Sequence, residues 1–524
     1  MTKVLLPAII LLVLFASCQK ELEDVLPGAY LKTDSTSLTL KETAGTKDSF
    51  RISANVKWAV TILPATADWL SASVTTGDGN AKVIISVTKS NTSDTIQKAT
   101  ILITPVSDTT VLPVIITVNQ QKPAVRMRNA YGGTRLDEFF AAVPMDDGGF
   151  IAVGRTNSND GDVSGLHGQQ EDGWIIRIAA DGSKVWQKVL GGSGFDGAYK
   201  IVKAADGNYL VIASGYSTDG DFAPAGGHFI FKIDGNGAIL WKKQLISKNG
   251  YDIDYPRKII PADGGGYMMV GLRRKPGADG DVWVGKINET GDMLWDKVYG
   301  GSDNDAGYDI VKASDNGYIV VGFAASNDGD VTGHRWLADG WILKIDNDGN
   351  KLWQKTYGGT FNDVFTSIVP AADGGYVMAG MSSSLDGDAT GGYGNNQRAD
   401  IWIVKINAAG SLVWQKKYGG TDEDRDPHIT AISGGGFMIA CFTRSKDGDI
   451  TETLGGLVDT WVFRIDNNGS KLWQRSMGGS DEDYPEFLFE YKPGKYVIGG
   501  FAGSNDKDVV GFHGYADGWL MRFE

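Results

Sequence analysis

The chain has 524 residues and a formal net charge of −14 at pH 7, with 64 acidic against 50 basic side chains. The acidic balance and the lack of a basic stripe argue against nucleic acid as a partner. An acidic surface also repels anionic lipid, so attachment to a membrane requires an anchor other than charge.

Residues 1–17 have the pattern of an export signal. Lys3 supplies the positive charge, Val4–Phe15 is apolar, and small residues precede Cys18. The apolar stretch is too short to span a bilayer. The cysteine at the cleavage point makes the segment resemble a bacterial lipoprotein signal, which implies that Cys18 is the lipidated first residue of the mature protein. The alternative is an ordinary secretory signal with a chance cysteine.

A lipidated tether is predicted for residues 18–30. Its segment Gln19–Asp24 resembles the acidic tag that sends lipoproteins of Bacteroidetes to the outer face of the outer membrane. The resemblance implies a protein that faces the cell exterior and meets the membrane through its lipid anchor only. Cys441 aligns with small residues of the repeats described below, so we expect a buried, unreactive thiol and no disulfide.

Residues 31–122 are rich in Thr, Ser, Val and Ile, poor in Gly, and alternate between apolar and polar residues. This pattern predicts one immunoglobulin-like β-sandwich. The region resembles the BACON domain, a family proposed to bind glycan or mucin that also serves as a spacer. We expect Trp58 and Trp69 to be core residues rather than glycan contacts. The resemblance is carried by Asn55–Val60, Asp68–Leu70, Gly77–Gly79, Asn91–Ser93 and Val118–Gln120.

Seven copies of one motif occupy residues 123–524. Repeats of roughly 50–60 residues made of short strands are typical of propellers and solenoids. Turn signals rich in Asp, Asn and Gly divide each copy into four strand-like runs. In the fourth copy the runs are Tyr308–Lys312, Tyr318–Phe323, Gly340–Ile345 and Lys351–Tyr357. The copies begin near Gly132, Gly191, Lys248, Gly300, Gly358, Gly419 and Gly478.

The two ends of the array predict a closed ring. The seventh copy stops after its third strand, at Trp519–Glu524. Val125–Gly133, ahead of the first copy, matches a fourth strand and has Met127 where the other copies have Trp. Pairing of the two ends leaves no long exposed sheet edge. The sequence therefore predicts an all-β chain in which a seven-bladed β-propeller, closed by an N-terminal strand, follows the sandwich.

Tryptophan recurs at two positions of the motif, which favours packing between blades. Trp336 departs from this pattern because it stands alone in a loop, and it is a candidate ligand contact. The third-strand set is Trp174, Trp283, Trp341, Trp402, Trp461 and Trp519, and the fourth-strand set is Trp186, Trp241, Trp295, Trp353, Trp414 and Trp473.

Aspartates also recur, at the start of the first strand and as a pair in the loop between the second and third strands. These two connections lie at the same end of an up-and-down blade, so we expect both sets on one loop-rich face and all five histidines in the loops of that face. The first set is Asp137, Asp196, Asp254, Asp305, Asp363, Asp424 and Asp483, and the histidines are His167, His228, His334, His428 and His513.

The recurring acids have two open interpretations. Asp side chains cap loop amides and support turns. Hard oxygen ligands in loops with Gly and Asn also suit calcium, although the spacing of an EF-hand is missing. Zinc is disfavoured because the histidines are dispersed over five blades. The candidate calcium ligands are Asp160, Asp162, Asp328, Asp330, Asp447 and Asp449, and no other cofactor is indicated.

Departures from the repeat are better candidates for ligand contacts, because a structural role predicts recurrence. Cations on an acidic face could bind an acidic sugar or a protein carboxylate. The alternative interpretation is that these cations lie in solvated loops and bind no ligand. No catalytic residue is assigned, since catalysis needs unlike residues at one place. The candidates are Arg273, Arg274, Trp336, Tyr393, Arg398, Arg425 and His428.

The repeats resemble those of secreted and surface proteins of Bacteroidetes in segments 315–322, 326–331 and 339–346. We therefore expect a non-catalytic surface lipoprotein that binds a glycan or a surface protein through its loop-rich face. One alternative is a glycan-active hydrolase or lyase that uses aspartates of this face with Arg273, Arg425 or His428. Another is an architectural protein with calcium-stiffened loops, and the fold alone does not distinguish these functions.

Overall fold

A computed structural model describes residues 28–41, 45–89, 96–108, 110–121, 125–247, 255–274, 280–393, 398–451 and 455–524. The expected signal segment, the Cys18 lipidation site and residues 18–27 of the tether lie outside these ranges. The described residues form two compact units, one within residues 28–121 and one within residues 125–524. Their one helix is the 3-10 turn Gly220–Phe222, and none of them forms an apolar helix of the length that a membrane span requires.

The first unit contains nine strands in its described residues. They are β1 (Leu31–Thr33), β2 (Ser37–Leu40), β3 (Lys47–Ala54), β4 (Lys57–Leu63), β5 (Leu70–Ala72), β6 (Thr76–Asp78), β7 (Ala81–Val87), β8 (Gln97–Pro105) and β9 (Val114–Gln120). One sheet has the order β1-β3-β7-β5 and the other β2-β9-β8-β4-β6, with β2 and β9 parallel. Trp58 and Trp69 are buried in the hydrophobic core of this unit, and Trp58 Nε1 donates to Gly79 O at 2.8 Å. Both tryptophans therefore have structural roles.

The second unit begins with β10 (Val125–Tyr131) and contains seven four-stranded antiparallel sheets in its described residues. The first three sheets are β11 (Asp137–Pro144), β12 (Phe150–Thr156), β13 (Asp172–Ile178) and β14 (Lys184–Leu190); β15 (Asp196–Lys203), β16 (Tyr209–Gly215), β17 (Gly227–Ile233) and β18 (Ile239–Gln244); and β19 (Tyr255–Pro261), β20 (Tyr267–Arg274), β21 (Gly280–Ile287) and β22 (Met293–Tyr299).

The fourth to sixth sheets repeat the same up-and-down order, and the seventh is completed by β10. The strands are β23 (Asp305–Lys312), β24 (Tyr318–Ala324), β25 (Asp339–Ile345) and β26 (Lys351–Tyr357); β27 (Asp363–Pro370), β28 (Tyr376–Ser382), β29 (Asp400–Ile406) and β30 (Leu412–Tyr418); β31 (Asp424–Ala431), β32 (Phe437–Thr443), β33 (Asp459–Ile465) and β34 (Lys471–Met477); and β35 (Asp483–Lys492), β36 (Lys495–Ala502) and β37 (Asp517–Phe523).

Consecutive sheets contact one another around a closed ring. The first strand of each sheet packs against the sheet before it, and β11 packs against β35, β36 and β37. This is the arrangement of a β-propeller. The strand β10 completes the last sheet by pairing with β37, with Met127 opposite Arg522 and Tyr131 opposite Gly518. The expected pairing of the two ends is present, and the strand ends at Tyr131 rather than at Gly133.

Tryptophan and glycine form recurring contacts between neighbouring sheets. The third-strand tryptophans are at most 2% exposed. The fourth-strand Trp353 is half-buried, and a Cβ on Gly410 of the next sheet would lie 2.8 Å from its ring. Gly410 also has a φ of 80°, which favours glycine. In the closing strand Met127 takes the place of tryptophan, against Gly182.

Two truncated proteins test whether β10 closes the ring. One begins at Val125 and keeps β10, and the other begins at Thr134 and lacks it. We expect the shorter protein to melt at a clearly lower temperature or to aggregate, because its last sheet loses the fourth strand and exposes an edge. Scanning calorimetry of both proteins measures the difference. Equal melting temperatures would contradict closure by β10.

Candidate functional site

The aspartate at the start of each first strand ties two loops together. Buried Asp424 accepts hydrogen bonds from Gly420 N at 2.9 Å, from Ser445 Oγ at 3.0 Å and from Thr443 Oγ1. Gly420 lies in the loop that enters the sixth sheet, and Ser445 in the loop that leaves its second strand. Asp254 lies outside the described residues. The same glycine and serine contacts are found at Asp137, Asp196, Asp305, Asp363 and Asp483.

The six candidate calcium ligands have partners within the protein. Asp447 accepts hydrogen bonds from the backbone N and from the hydroxyl of Thr421, both at 2.8 Å. In the described part of the chain, no three acidic, histidine or cysteine side chains are grouped so as to hold a metal ion. Turn capping accounts for these contacts, and calcium binding stays a prediction. Of the other candidates, Asp160 and Asp328 accept backbone hydrogen bonds, and Asp162, Asp330 and Asp449 pair with Lys184, Lys351 and Lys471.

A third recurring aspartate, which sequence analysis did not single out, stands at the start of the third strands. Asp517 is fully buried and accepts a hydrogen bond from His513 N at 2.8 Å. A Cβ on Gly132 would lie 2.5 Å from Asp517 Oδ1 and 2.6 Å from Asp137 Oδ2, so two carboxyl groups flank this glycine. The repeated Asp-x-Trp pattern is the sequence signal for this position. Buried aspartates also occupy it at Asp172, Asp281, Asp339, Asp400 and Asp459.

Burial and neighbouring charge raise the pKa values of these paired aspartates. Burial is the main cause and raises the pKa of Asp339 to about 6, and the charge of Asp363 is the second cause. Burial likewise raises the pKa of Asp424 to about 7 and the pKa values of Asp137 and Asp483 to about 6. Exposed aspartates lose their protons near pH 4, whereas these buried aspartates keep theirs in the native state up to about pH 6 or 7.

Trp336 and Tyr393 lie on exposed loops, whereas the candidate arginines have other environments. Trp336 is 75% exposed and Tyr393 is 48% exposed, in the loops after the second strands of the fourth and fifth sheets. Arg398 forms an ion pair with Asp422 at 2.7 Å, and Arg425 forms one with Glu423 at 2.8 Å. Arg273 is 4% exposed, so it is part of the protein interior. The side chain of Arg274 lies outside the described residues.

The expectation that all five histidines lie in loops was wrong for two of them. His228 belongs to β17 and His428 belongs to β31. A register shift between Arg425 and His428 leaves two residues of β31 unpaired. This irregularity has no composition signal, which is why the sequence did not reveal it. It places His428 in the wall of a central cavity.

The central cavity has a volume of about 350 Å³ and is lined by the first strands of all seven sheets. Each first strand has a β-bulge near its fourth residue, in the half nearer to the loop-rich face. A bulge re-aims a side chain, and here the unpaired residues line the cavity. Ser214 also lines it, and its Oγ lies 2.5 Å from His228 Nδ1. The bulge residues are Phe140, Tyr199, Arg257, Tyr308, Thr366, Asp426 and Glu486.

Cations, acids and aromatic rings meet in this cavity. The Arg257 guanidinium lies 4.3 Å from the centroid of the Tyr308 ring. The rings of Phe140 and Tyr199 are stacked, with centroids 5.2 Å apart. Lys200, the residue after one bulge, lines the same cavity. Such a group of unlike side chains in a concave site is typical of ligand binding or catalysis.

The cavity alters the titration of its ionisable groups. Burial raises the pKa of Glu486 to about 7 and also raises the pKa of Asp426. Burial lowers the pKa of Lys200 and lowers the pKa of His428 to about 3, so His428 is neutral at pH 7. Asp426 has a φ of 50°, a left-handed conformation that costs a non-glycine residue on the order of 1–3 kcal/mol. Strain and shifted pKa values at one cavity identify it as the candidate functional site.

No family model matches the chain. The regulatory protein FlaEY of Caulobacter vibrioides is 26% identical over 184 residues, which cover 33% of this chain and 19% of that protein. The match thus spans about a fifth of that relative's length.

Several solved structures are similar at low scores. The WD40 domain of Pan2 from Neurospora crassa has a TM-score of 0.36 at 11% identity, over 62% of this chain and 88% of that chain. Puromycin hydrolase has a TM-score of 0.39 at 16% identity, over 79% of this chain and 56% of that chain. A quinonprotein alcohol dehydrogenase-like protein from Bacteroides thetaiotaomicron has a TM-score of 0.32 at 9% identity, over 84% of this chain and 94% of that chain. These scores are low, so the propeller assignment rests on this chain's own strand pairing.

The raised aspartate pKa values predict that the free energy of unfolding decreases as the pH rises from about 5 to about 8. Below the raised values the native state binds more protons than the unfolded state, and this stabilisation is lost as the pH passes through about 6 to 7. Aspartates with a lowered pKa, such as Asp447, are already ionised in this range, and the opposite contribution of neutral His428 is that of one group against several raised aspartates. Urea titrations at several pH values measure the slope.

The substitution Asp339→Asn is the matched control for this pH dependence. It removes one ionisable carboxyl next to Asp363, so we expect a flatter profile than that of the unaltered protein. Stability that rises steadily from pH 5 to pH 8 would contradict the assignment of these carboxyl groups.

Proposed function

We propose that this protein is a lipoprotein of the bacterial outer membrane that faces the cell exterior and binds a glycan through the loop-rich end of its ring. Cys18 is the lipidated residue in this proposal. The first unit is an immunoglobulin-like, BACON-like sandwich, and the seven sheets are the blades of one propeller that β10 closes. The signal pattern of residues 1–17 and the motifs between Asn55 and Gln120 support these assignments.

One observation carries the binding function: repeated residues support the ring, whereas unrepeated residues meet in the central cavity. The recurring first-strand aspartates are occupied by loop amides and hydroxyls, as at Asp424. The bulge residues differ from sheet to sheet and surround a cavity of about 350 Å³. This volume is at the lower end of the range of small-molecule pockets, roughly 300–1,000 Å³. A cavity of this size accepts a sugar unit rather than the surface of a folded protein.

Aromatic side chains support a glycan as the ligand class. Tyr199 and Tyr308 present rings to the cavity, and Trp336 and Tyr393 are exposed on loops at the same end of the ring. Aromatic rings combine a large apolar face with a defined orientation, which suits the apolar face of a sugar ring. The polar groups beside them, such as Thr366, provide partners for hydroxyl groups.

A glycan array with the protein from Leu31 to Glu524 tests this function, first with calcium and then with a chelator. We expect binding to one class of glycan. The double variant Trp336→Ala/Tyr393→Ala should weaken it roughly tenfold, the equivalent of about 1.4 kcal/mol. Leu352→Ala, which alters an exposed residue of β26, is the control and should bind normally.

The outcomes of the array separate the candidate partners. Loss of binding in chelator would assign a calcium role to the paired aspartates such as Asp160 and Asp162. Binding to no glycan in either condition would contradict the proposal and favour a protein partner.

A glycan-active enzyme is the second candidate, and the observation that favours it is the pair of acids in the cavity. Asp426 and Glu486 both line the cavity, and the pKa of Glu486 is raised to about 7. A carboxyl that is protonated near neutral pH can act as a general acid while a second carboxylate acts as a base or nucleophile.

Product analysis distinguishes the enzyme from the binding protein. The glycan that binds in the array is incubated with the protein and examined by mass spectrometry. An enzyme would release products, and Glu486→Gln would slow their release by roughly 100-fold or more, as expected for loss of a general acid. Glu482→Gln, in the loop before β35, is the matched control. An intact glycan after long incubation with the unaltered protein would exclude hydrolysis and lyase activity on that glycan.

A further inference from the structure

We propose that the central cavity selects sugars that carry a carboxylate, and that Lys200 is the side chain that binds this carboxylate. This inference rests on the proposed glycan-binding function and adds the chemical class of the ligand. It concerns Lys200 and Arg257, which are not among the residues that the sequence identified.

Lys200 lies in the cavity wall, and a bound carboxylate favours its charged form although burial lowers its pKa. It follows the bulge at Tyr199 in β15 and lines the cavity. Its Nζ donates one hydrogen bond, to Phe140 O at 3.4 Å, and no carboxylate of the described residues lies within ion-pair distance of it. Glu486 contributes the largest charge interaction with Lys200, but burial raises the pKa of Glu486 to about 7. Glu486 and Lys200 therefore interact through their charges, but the described residues show no ion pair between them.

Arg257 adds a second positive charge on the adjacent sheet. Its guanidinium packs on the ring of Tyr308, and its buried Nε has no hydrogen-bond partner. The next residue, Lys258, is different because it pairs with buried Asp309 at 3.1 Å. The second and third sheets thus present two cations to the cavity, Lys200 and Arg257, that are available to an anion.

The acids of the cavity come from the sixth and seventh sheets. Asp426 and Glu486 line this part of the wall. In a ring of seven sheets, the sixth sheet with Asp426 is three or four positions from the second and third and lies across the cavity from them, whereas the seventh sheet with Glu486 is two positions from the second. A ligand with a carboxylate on one side and hydroxyl groups on the other matches this distribution, because carboxyl groups accept hydrogen bonds from hydroxyls.

The same two acids limit the charge of the ligand. One carboxylate is held by Lys200 and Arg257, whereas the second negative charge of a phosphate adds repulsion from whichever of Asp426 and Glu486 is ionised. The stacked rings of Phe140 and Tyr199 provide an apolar surface for the sugar ring itself. An acidic sugar such as a uronic acid therefore satisfies the charges, the polar groups and the aromatic surface together.

Isothermal titration calorimetry with D-glucuronate, D-galacturonate, D-glucose and glucose 6-phosphate tests this selectivity. We expect at least one of the two uronates to bind about tenfold or more tightly than glucose and glucose 6-phosphate, as expected for one added charge-assisted contact. Its affinity should fall as the salt concentration rises.

Two lysines of the same strand provide the variant and its control. Lys200→Met should reduce uronate affinity about tenfold or more, while its melting temperature stays close to that of the unaltered protein. Lys203→Met should leave the affinity unchanged, because Lys203 pairs with Asp146 at 2.7 Å and is not part of the cavity wall. If Lys200→Met does not fold, Arg257→Gln serves as the second variant and should also weaken uronate binding.

The results distinguish failure of this inference from failure of the proposed function. Equal affinity for uronates and glucose, or full uronate affinity in folded Lys200→Met, would overturn the carboxylate site and leave glycan binding by the loops intact. A preference for glucose 6-phosphate would also overturn it. Absence of binding to every glycan in the array would overturn both proposals.

Discussion

Each sheet of the ring is covered by the sheets on its two sides. The first and last sheets have this cover only if the ring closes, and the ring closes through the pairing of β10 with β37. Mutual cover is the reason that β25 is buried along its whole length. The last sheet has such cover because β10 supplies its missing strand and because Trp473 of the sixth sheet stacks on Phe523, with ring centroids 6.2 Å apart. An open array would expose these apolar faces and an unpaired strand edge.

Closure also explains how a repetitive protein can contain a site of unlike residues. It brings seven first strands around one cavity, and a single bulge in each strand is enough to turn a side chain into it. The recurring aspartates fix the loops by hydrogen bonds, as Asp424 does with Gly420 and Ser445. The residues that line the cavity do not hold the loops in this way, so they differ between sheets. Lys200 and Glu486 can therefore take functional roles without weakening the contacts that hold the ring together.

The sequence predicted most of the ring but little of the cavity. The predicted bounds of β26 were confirmed because turn signals stand on both sides of it. The strand β23 begins at Asp305, three residues before its predicted start, because hydrogen bonds to Ser326 hold this aspartate in the sheet. A bulge inserts one residue without changing the pattern around it, so the place of Tyr308 in the cavity could not be predicted. The sequence did not identify Lys200 as a cavity residue, because the segment around it has the pattern of an ordinary exposed strand.

We propose that the unrepeated residues of the first strands form one ligand site. A crystal structure of the protein with the tightest-binding uronate is the decisive experiment for this site. We expect ligand density inside the cavity, with the carboxylate within hydrogen-bond distance of Lys200 Nζ. Density confined to the loops around Trp336 and Tyr393, with an empty cavity, would contradict it.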